Sequence, residues 1–305
     1  MEFTGCPSDS RSKPARAAAW AGLFACALGA MLALPAFAQE APQLSFGDQI
    51  GETADDAPTG TLSTQGTARR VIFSVLLGAE NRPAYFGSDE TVVRPVLRPS
   101  LLSLNYGPLN LGDEADAFDD DPNDRPLGFG VGGSLRYVDE RTDEDYDELD
   151  GLDDVDGSLE LGLIAGYVWP NAEVFGIARY GVTGHNGWVG ELGANYVANP
   201  ADGFVLRVGP RATFGSDNYN DTYFGITPSE AAASDFEAYD PDSGLVSSGL
   251  EVIASYQLGE RWWLEGRARW EQYQDQAADS PIVEQGSEEA TTVSIGVRRA
   301  FVLDF

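Results

Sequence analysis

The last nine residues constrain the fold of this chain more than any other segment. Apolar residues recur at alternate positions, and the last of them is an aromatic residue that ends the chain. These residues are Val297, Phe301, Leu303 and Phe305. Such a strand is typical of the closing strand of an outer-membrane β-barrel, in which one face meets lipid and the other meets the interior. Arg299 lies on the apolar parity and does not fit this pattern. An amphipathic strand of a soluble β-protein is the competing interpretation.

The first 38 residues have the composition of a secretory signal peptide. Basic residues lie between Arg11 and Arg16, and an apolar stretch follows at 17–34. Ala36-Phe37-Ala38 then has the small-x-small pattern of a cleavage site. This order of regions predicts cleavage between Ala38 and Gln39. An uncleaved membrane anchor and a lipoprotein site at Leu23-Phe24-Ala25-Cys26 are the alternatives.

Residues 39–68 are rich in Gly, Pro, Asp, Thr and Gln and show no periodicity, which predicts a flexible periplasmic leader. Both cysteines, Cys6 and Cys26, precede the cleavage site, so a mature chain would contain no disulfide. No apolar run of 18 residues follows position 38, so a mature chain in the membrane must cross it as a closed barrel.

The remaining residues, 69–305, predict an all-β fold, a transmembrane antiparallel up-and-down barrel. The strand-like segments have about the 9–11 residues that a membrane strand requires. There are ten of them, at 69–79, 91–104, 126–138, 157–169, 172–182, 188–198, 203–214, 245–258, 261–273 and 291–303. Leu109 to Leu111 would belong to a further hairpin in a barrel of twelve strands. The prolines at 95, 99 and 210 conflict with regular strands, because proline cannot donate to a ladder.

Charged residues occupy the parity opposite to the apolar one in several of these segments. In 261–273, Trp262, Leu264 and Trp270 share one face, and the opposite face carries alternating charges. A soluble sandwich would not readily bury such a row. We therefore predict charges that line the lumen, namely Glu160, Arg207, Arg211, Glu265, Arg267, Arg269 and Glu271.

Loop lengths alternate along the chain. Short turns follow Trp169, Ala198 and Leu258, whereas 139–156, 215–244 and 274–290 are long. Long extracellular loops and short periplasmic turns are typical of bacterial barrels. The acidic stretch 113–126 is the exception, since ten strands place it on the periplasmic side.

The charge of the chain, −30, argues strongly against a nucleic-acid partner, which requires a basic surface. The only histidine, His185, lies in a Gly-His-Asn-Gly sequence that predicts a tight turn rather than a catalytic group. The acidic run 139–156 is either a solvated loop or a Ca²⁺ site, and Glu148 stands where an EF-hand requires glycine. We predict no enzyme activity and no cofactor.

Three stretches resemble the MipA/OmpV family of outer-membrane proteins, the MltA-interacting proteins. They are 83–89, 219–228 with its continuation to Tyr239 and Asp240, and 279–283. The residues that carry the resemblance are Pro83, Tyr85, Gly87, Ser88, Asp89, Tyr219, Tyr223, Phe224, Gly225, Asp279, Ser280 and Pro281. The prolines at 95 and 99 are also similar to the second strand of the family. The chain departs from the family after Leu104, where it is short and acidic, and at its last four residues.

The resemblance implies a barrel in the outer membrane of a Gram-negative bacterium, in contact with the bilayer and lipopolysaccharide. It further implies a scaffold for peptidoglycan-remodelling enzymes, with a lytic transglycosylase and a murein synthase as partners. A narrow channel for small solutes and a surface adhesin that uses the long loops are the alternatives. The loop that contains Tyr219, Tyr223 and Phe224 either narrows the mouth of the barrel or packs on itself as a cap.

Overall fold

A computed structural model describes residues 70–106, 109–111, 127–143 and 146–304, without the side chains of 99–106 and 109–111. The predicted signal peptide and leader, with Ala36, Ala38 and Gln39, lie outside these residues, as does Phe305. The strands are β1 (Arg70–Pro83), β2 (Thr91–Tyr106), β3 (Leu109–Leu111), β4 (Gly128–Val138), β5 (Ser158–Trp169), β6 (Ala172–Gly181), β7 (Trp188–Ala201), β8 (Phe204–Gly215), β9 (Gly244–Gly259), β10 (Trp262–Tyr273) and β11 (Glu289–Asp304).

All of these strands belong to one antiparallel sheet with the order β3-β2-β1-β11-β10-β9-β8-β7-β6-β5-β4. The first strand thus pairs with the last, from Arg70 opposite Asp304 to Asn81 opposite Val293. Apart from this seam, strands that are consecutive in sequence are adjacent in the sheet, with the exception of β3 and β4. The ten long strands confirm the predicted up-and-down barrel.

The described strands also show how the number of strands depends on β3. Since each strand opposes its neighbour, β2 and β4 run in opposite directions, so a direct pairing of the two would complete a ten-stranded antiparallel ring. A third strand starting at Leu109 would run parallel to β4 and would require a twelfth strand between them. The three residues of β3 fit a short extension of the β2 hairpin better than a full strand.

Alternate residues of each strand face the two sides of the sheet, as their burial shows. In β10, Trp262 and Trp270 are exposed on the outer face, whereas Trp263 and Glu265 are buried on the inner one. The outer face is apolar and the inner face is charged, so the distribution of polar and apolar residues is the reverse of that in a soluble β-sandwich.

The described loops contain four short helices, α1 (Asp217–Phe224), α2 (Pro228–Ala233), α3 (Asp275–Ala278) and α4 (Pro281–Gln285). A 3₁₀ turn, Asp147–Leu149, lies in the loop between β4 and β5. None of the helices in the described part of the chain is long and apolar enough to cross a membrane.

Pro210, which conflicts with a regular strand, lies inside β8, and the strand continues through it. Pro210 pairs with Leu250 of β9, while the β7 ladder lacks its pairs between Gly193 and Tyr196. The guanidinium of Arg211 donates to the carbonyl of Ala194 at 3.1 Å. A side chain thereby supplies the hydrogen bond that the proline nitrogen cannot make.

Pro95 and Pro99 are accommodated differently. The β1–β2 ladder is unbroken from Thr91 to Leu101, with Pro95 opposite Ala79 and Pro99 opposite Val75. The two prolines share one parity, so an intact ladder requires that both ring nitrogens point away from β1. Edge positions of this kind are where strands tolerate proline.

Candidate functional site

The long loops in the described part of the chain lie at one end of the barrel and fold into its mouth. Residues from the loops pack against inward-facing wall residues such as Val189 and Val246. We call this cluster the aromatic plug and define it by its large side chains, Phe86, Tyr219, Tyr223, Phe224, Tyr273 and Val283. The rings of Tyr219 and Tyr223 are 4.9 Å apart, and Phe86 lies 4.9 Å from Tyr223. Since long loops mark the outer side of bacterial barrels, the plug covers the extracellular mouth.

The first family stretch continues directly from β1 into the plug. Gly87 has a φ of +89°, and an added Cβ would lie 2.8 Å from the side chain of Val283. Its N–H donates to the Tyr273 hydroxyl at 3.2 Å, and its carbonyl accepts from Ser287 at 2.7 Å. Glycine is required here by both the backbone conformation and the close approach.

The other residues of this stretch fix the turn around Gly87. The Tyr85 hydroxyl donates to Glu148 at 3.1 Å, and burial together with this carboxylate raises the pKa of Tyr85. The buried Ser88 hydroxyl accepts from the N–H of Glu90, while Asp89 is exposed. Pro83 is the last residue of β1.

The second and third stretches meet at Phe224. The Ser280 hydroxyl is completely buried and donates to the carbonyl of Phe224 at 2.7 Å. Pro281 occupies the first turn of α4. Backbone N–H groups in the first turn make no hydrogen bond within the helix, so the absence of an N–H in proline costs nothing there. Asp279 follows α3, and Gly225 follows α1. The three stretches thus converge on one structure, and the loop of Tyr219, Tyr223 and Phe224 lies in the mouth.

The acidic loop 139–157 is attached to this structure through Glu230. Thr227 and Glu230 form a capping box at the start of α2, and the second Glu230 oxygen accepts from the N–H of Asp153 at 3.0 Å. Burial alone would raise the pKa of Glu230, but these hydrogen bonds outweigh it and hold the pKa below its usual value. Within the described residues, no group of three or more acidic, histidine or cysteine side chains is arranged to hold a metal ion.

We expect Asp221 on α1 to make the stability of the loop 216–243 depend on pH. Burial raises its pKa, and the charges of Asp240, Asp217 and Asp242 raise it further. A carboxyl whose pKa is raised by folding stabilises the protein when protonated, so this contribution is present below the ordinary carboxyl pKa of about 4 and is lost as pH rises above it. We expect amide hydrogen exchange in 217–242 to accelerate over this range, after correction for intrinsic rates. Asp221→Asn should remove this component, whereas Asp235→Asn should not, and an unchanged pH dependence in Asp221→Asn would contradict the assignment.

His185 lies directly beneath the plug. The residue does form a turn, with Gly184 and Asn186 at positive φ, but its side chain is buried rather than at an exposed tip. Its Nδ1 accepts from the N–H of Gly187 at 3.0 Å, and its Nε2 lies 3.4 Å from Glu160. The imidazole therefore joins the plug to the charges below it.

Glu160 is at the centre of the first layer of charges in the lumen. It is completely buried, and its carboxylate lies 3.0 Å from Arg179 and 3.7 Å from Arg136. Arg179 also donates to Ser134 at 3.1 Å. These contacts connect three adjacent strands, β4, β5 and β6, across their inner faces.

A second layer crosses the barrel from β6 to β11. Arg211 lies 2.7 Å from Glu251, and Arg269 lies 2.9 Å from Glu191 and 2.8 Å from Glu271. Longer pairs extend the layer, at Arg267–Glu251, Arg267–Glu265, Arg298–Glu265 and Arg207–Glu173. Because each carboxylate is shared or flanked by arginine, the charges neutralise one another inside the barrel.

Trp263 fills the interior near the end with short turns. It is almost fully buried against Ile72 and Ala300, and the guanidinium of Arg298 stacks over its ring at 4.4 Å. From mouth to base, the interior thus contains the plug, two layers of ion pairs and a buried tryptophan.

The seven charges singled out from the sequence all belong to these two layers. The sequence reasoning missed their partners, which are Arg136, Glu173, Arg179, His185, Glu191, Glu251 and Arg298. The inward parity of each strand was the available signal, because every one of the missed arginines and glutamates lies on it.

An antiparallel barrel with an apolar exterior and a charged interior defines an outer-membrane protein, and this chain is one. A family model described as MltA-interacting protein MipA matches residues 75–301. The chain belongs to this family, which is a family of outer-membrane proteins rather than of enzymes.

Two relatives from Escherichia coli K12 are similar to parts of the chain. The MltA-interacting protein is 32% identical over 83 residues, which cover 27% of this chain and 33% of the relative. YiaT, whose name assigns it to the outer membrane, is 26% identical over 165 residues, which cover 52% of this chain and 64% of the relative. The chain therefore matches between a third and two thirds of the length of these relatives.

Among solved structures, an outer membrane channel from Pseudomonas putida F1 matches with a TM-score of 0.39 and 12% identity. The match covers 81% of this chain and 100% of the channel. OprG from Pseudomonas aeruginosa has a TM-score of 0.26 and 11% identity, over 76% of this chain and 96% of that protein.

Proposed function

We propose that this protein is a non-enzymatic scaffold that holds peptidoglycan-remodelling enzymes at the periplasmic side of the outer membrane. The partner class follows from the name of the relative in Escherichia coli, an MltA-interacting protein, and from the family to which the chain belongs. A lytic transglycosylase is the first partner to test, and a murein synthase is the second.

The observation that carries the proposal is the filled interior. The plug occupies the mouth, and the ion pairs of Arg211, Arg269 and Glu160 connect the walls below it. A barrel of about ten strands has a narrow interior even before side chains fill it. A wall braced in this way is suited to a rigid support and leaves little room for solute transport.

The described periplasmic turns offer little surface to a partner. They are short connections between β5 and β6, β7 and β8, and β9 and β10, at Pro170, Asp202 and Glu260. The larger candidates are two sequences outside the described residues, the leader 39–68 and the stretch 112–126. The leader contains five acidic residues and no basic one, at Glu40, Asp48, Glu52, Asp55 and Asp56. We propose that the leader provides the docking segment and that the partner surface is basic.

Deletion of 39–68, with the signal sequence retained, is expected to reduce recovery of a lytic transglycosylase at least tenfold while the barrel still inserts. The only lysine is Lys13, so amine crosslinkers are unsuitable. A photoreactive amino acid at Gln43 and another at Glu260 would instead probe the leader and a turn, with Glu237 in the extracellular loop as the control. Crosslinked partners would be identified by mass spectrometry of the cell envelope.

Crosslinking to a murein enzyme from Glu237 but from neither periplasmic position would contradict the proposed face. Recovery of no murein enzyme from any position would contradict the scaffold itself. Planar-bilayer recordings address the channel alternative, since a braced and plugged interior should give no steady single-channel conductance.

A further inference from the structure

Apart from Glu289, which begins the strand, Arg299 is the one charged residue on the apolar parity of β11. It is exposed on the outer face, opposite Trp262 of β10 and Val75 of β1. Its neighbours on that face are apolar, with Val297 on one side along the strand and Phe301 on the other. A guanidinium that faces lipid requires a partner or an aqueous boundary.

Two aromatic rings hold the guanidinium in place. Its central carbon lies 4.7 Å from the ring centre of Trp262 and 5.1 Å from that of Phe301. Phe301 is itself stacked on Phe73, with 5.2 Å between ring centres. In the described part of the chain, Arg299 has no carboxylate within ion-pair distance. The rings therefore fix the orientation of the group, while its N–H donors stay available to a ligand.

The position of Arg299 along the barrel places it at the membrane boundary. Its partner Trp262 is the first residue of β10 and follows the short turn after Gly259. Exposed tryptophans mark the two interfaces of a barrel, and Trp270 lies eight residues further toward the mouth, about 26 Å along a strand. Arg299 is thus level with the headgroups of the periplasmic leaflet rather than with the acyl chains.

We propose that Arg299, oriented by Trp262 and Phe301, binds the phosphate of a phospholipid headgroup in the periplasmic leaflet. A planar guanidinium donates two parallel hydrogen bonds to phosphate oxygens, which suits a group held by stacking on one face. The charges of the neighbouring turn come from Glu260 and Arg261, and Arg70 at the end of β1 is paired with Asp304 at 2.5 Å. Arg299 is the exposed cation on this face that the aromatic rings position for such a ligand.

Native mass spectrometry of the purified full-length protein in detergent tests this site, with short-chain phosphatidylglycerol as the probe. Arg299→Gln is expected to weaken lipid binding about tenfold, the loss of one charge-assisted contact. Arg299→Lys should bind with intermediate affinity, because it retains the charge but not the planar fork. Trp262→Leu should also weaken binding, although it leaves the charge unchanged.

Arg94→Gln is the matched control, since it removes an exposed arginine near the extracellular end of β2. β-sheet circular dichroism and the midpoint of thermal unfolding establish that each variant is folded. Equal lipid affinity in Arg299→Gln and the wild type would overturn the site. Competition by inorganic phosphate at the concentration at which the lipid binds would overturn the assignment to a lipid, because a headgroup site should also depend on the acyl chains.

Discussion

Replacement of Glu160 by glutamine is expected to destabilise the barrel by about 3–5 kcal/mol, the usual cost of removing one partner from a buried ion pair. Glutamine preserves the shape of the side chain but leaves the buried Arg179 and the nearby Arg136 without the carboxylate that they share. The loss should be seen as a lower denaturant midpoint in unfolding from detergent micelles or vesicles.

Glu237→Gln removes an exposed carboxylate from the extracellular loop and should leave the midpoint nearly unchanged. The double variant Glu160→Leu with Arg179→Met should recover part of the loss, because neutral side chains leave fewer unpaired charges inside. A Glu160→Gln protein as stable as the wild type would show that water, rather than the carboxylate, balances these arginines.

Truncation of Phe224 to alanine is expected to cost about 3–5 kcal/mol of local stability and to release the plug from the mouth. The side chain is completely buried, 5.7 Å from Tyr273 and 5.9 Å from Phe86 between ring centres. Because loop 216–243 contains neither lysine nor arginine, trypsin cannot cut it. Limited digestion with chymotrypsin should instead become faster at Phe236 and Tyr239.

Phe129→Ala is the control for this change, since Phe129 is exposed on the outer face of β4, far from the plug cluster. Its digestion pattern should match that of the wild type. Unchanged protection of the loop in Phe224→Ala would mean that Ser280 and the other hydrogen bonds hold the plug without the ring.

The strands were predictable because side chains in a barrel strand alternate between lipid and the interior. In 261–273, apolar and charged residues alternate in the sequence, and they occupy the two faces of β10. The ends of the strands were less predictable. For example, β1 continues to Pro83, where the first family stretch begins, rather than ending at residue 79. The role of Arg211 beside Pro210 depends on which β7 carbonyl lies opposite, and register across strands is absent from a single sequence.

The candidate site was predictable only in part for the same reason. The inward charges of β10 were visible in one strand, whereas Glu191 and Glu251 become their partners through pairing of β7, β8 and β9. His185 was correctly placed in a turn, but the inward direction of its side chain depends on the packing of Tyr219. The convergence of three loops on Gly87 and Phe224 likewise requires the folded barrel.

The pairing of β1 with β11 also determines when the protein can be completed. Arg70 and Asp304 are separated by 234 positions, so the seam forms only after the chain between them has been synthesised and arranged. Contacts of such long sequence separation slow folding, and each unfinished intermediate presents two strand edges with unpaired donors and acceptors. Loss of β11 from a truncated chain would leave β1 and β10 both exposed, which makes aggregation during transit through the periplasm the expected fate of an incomplete molecule.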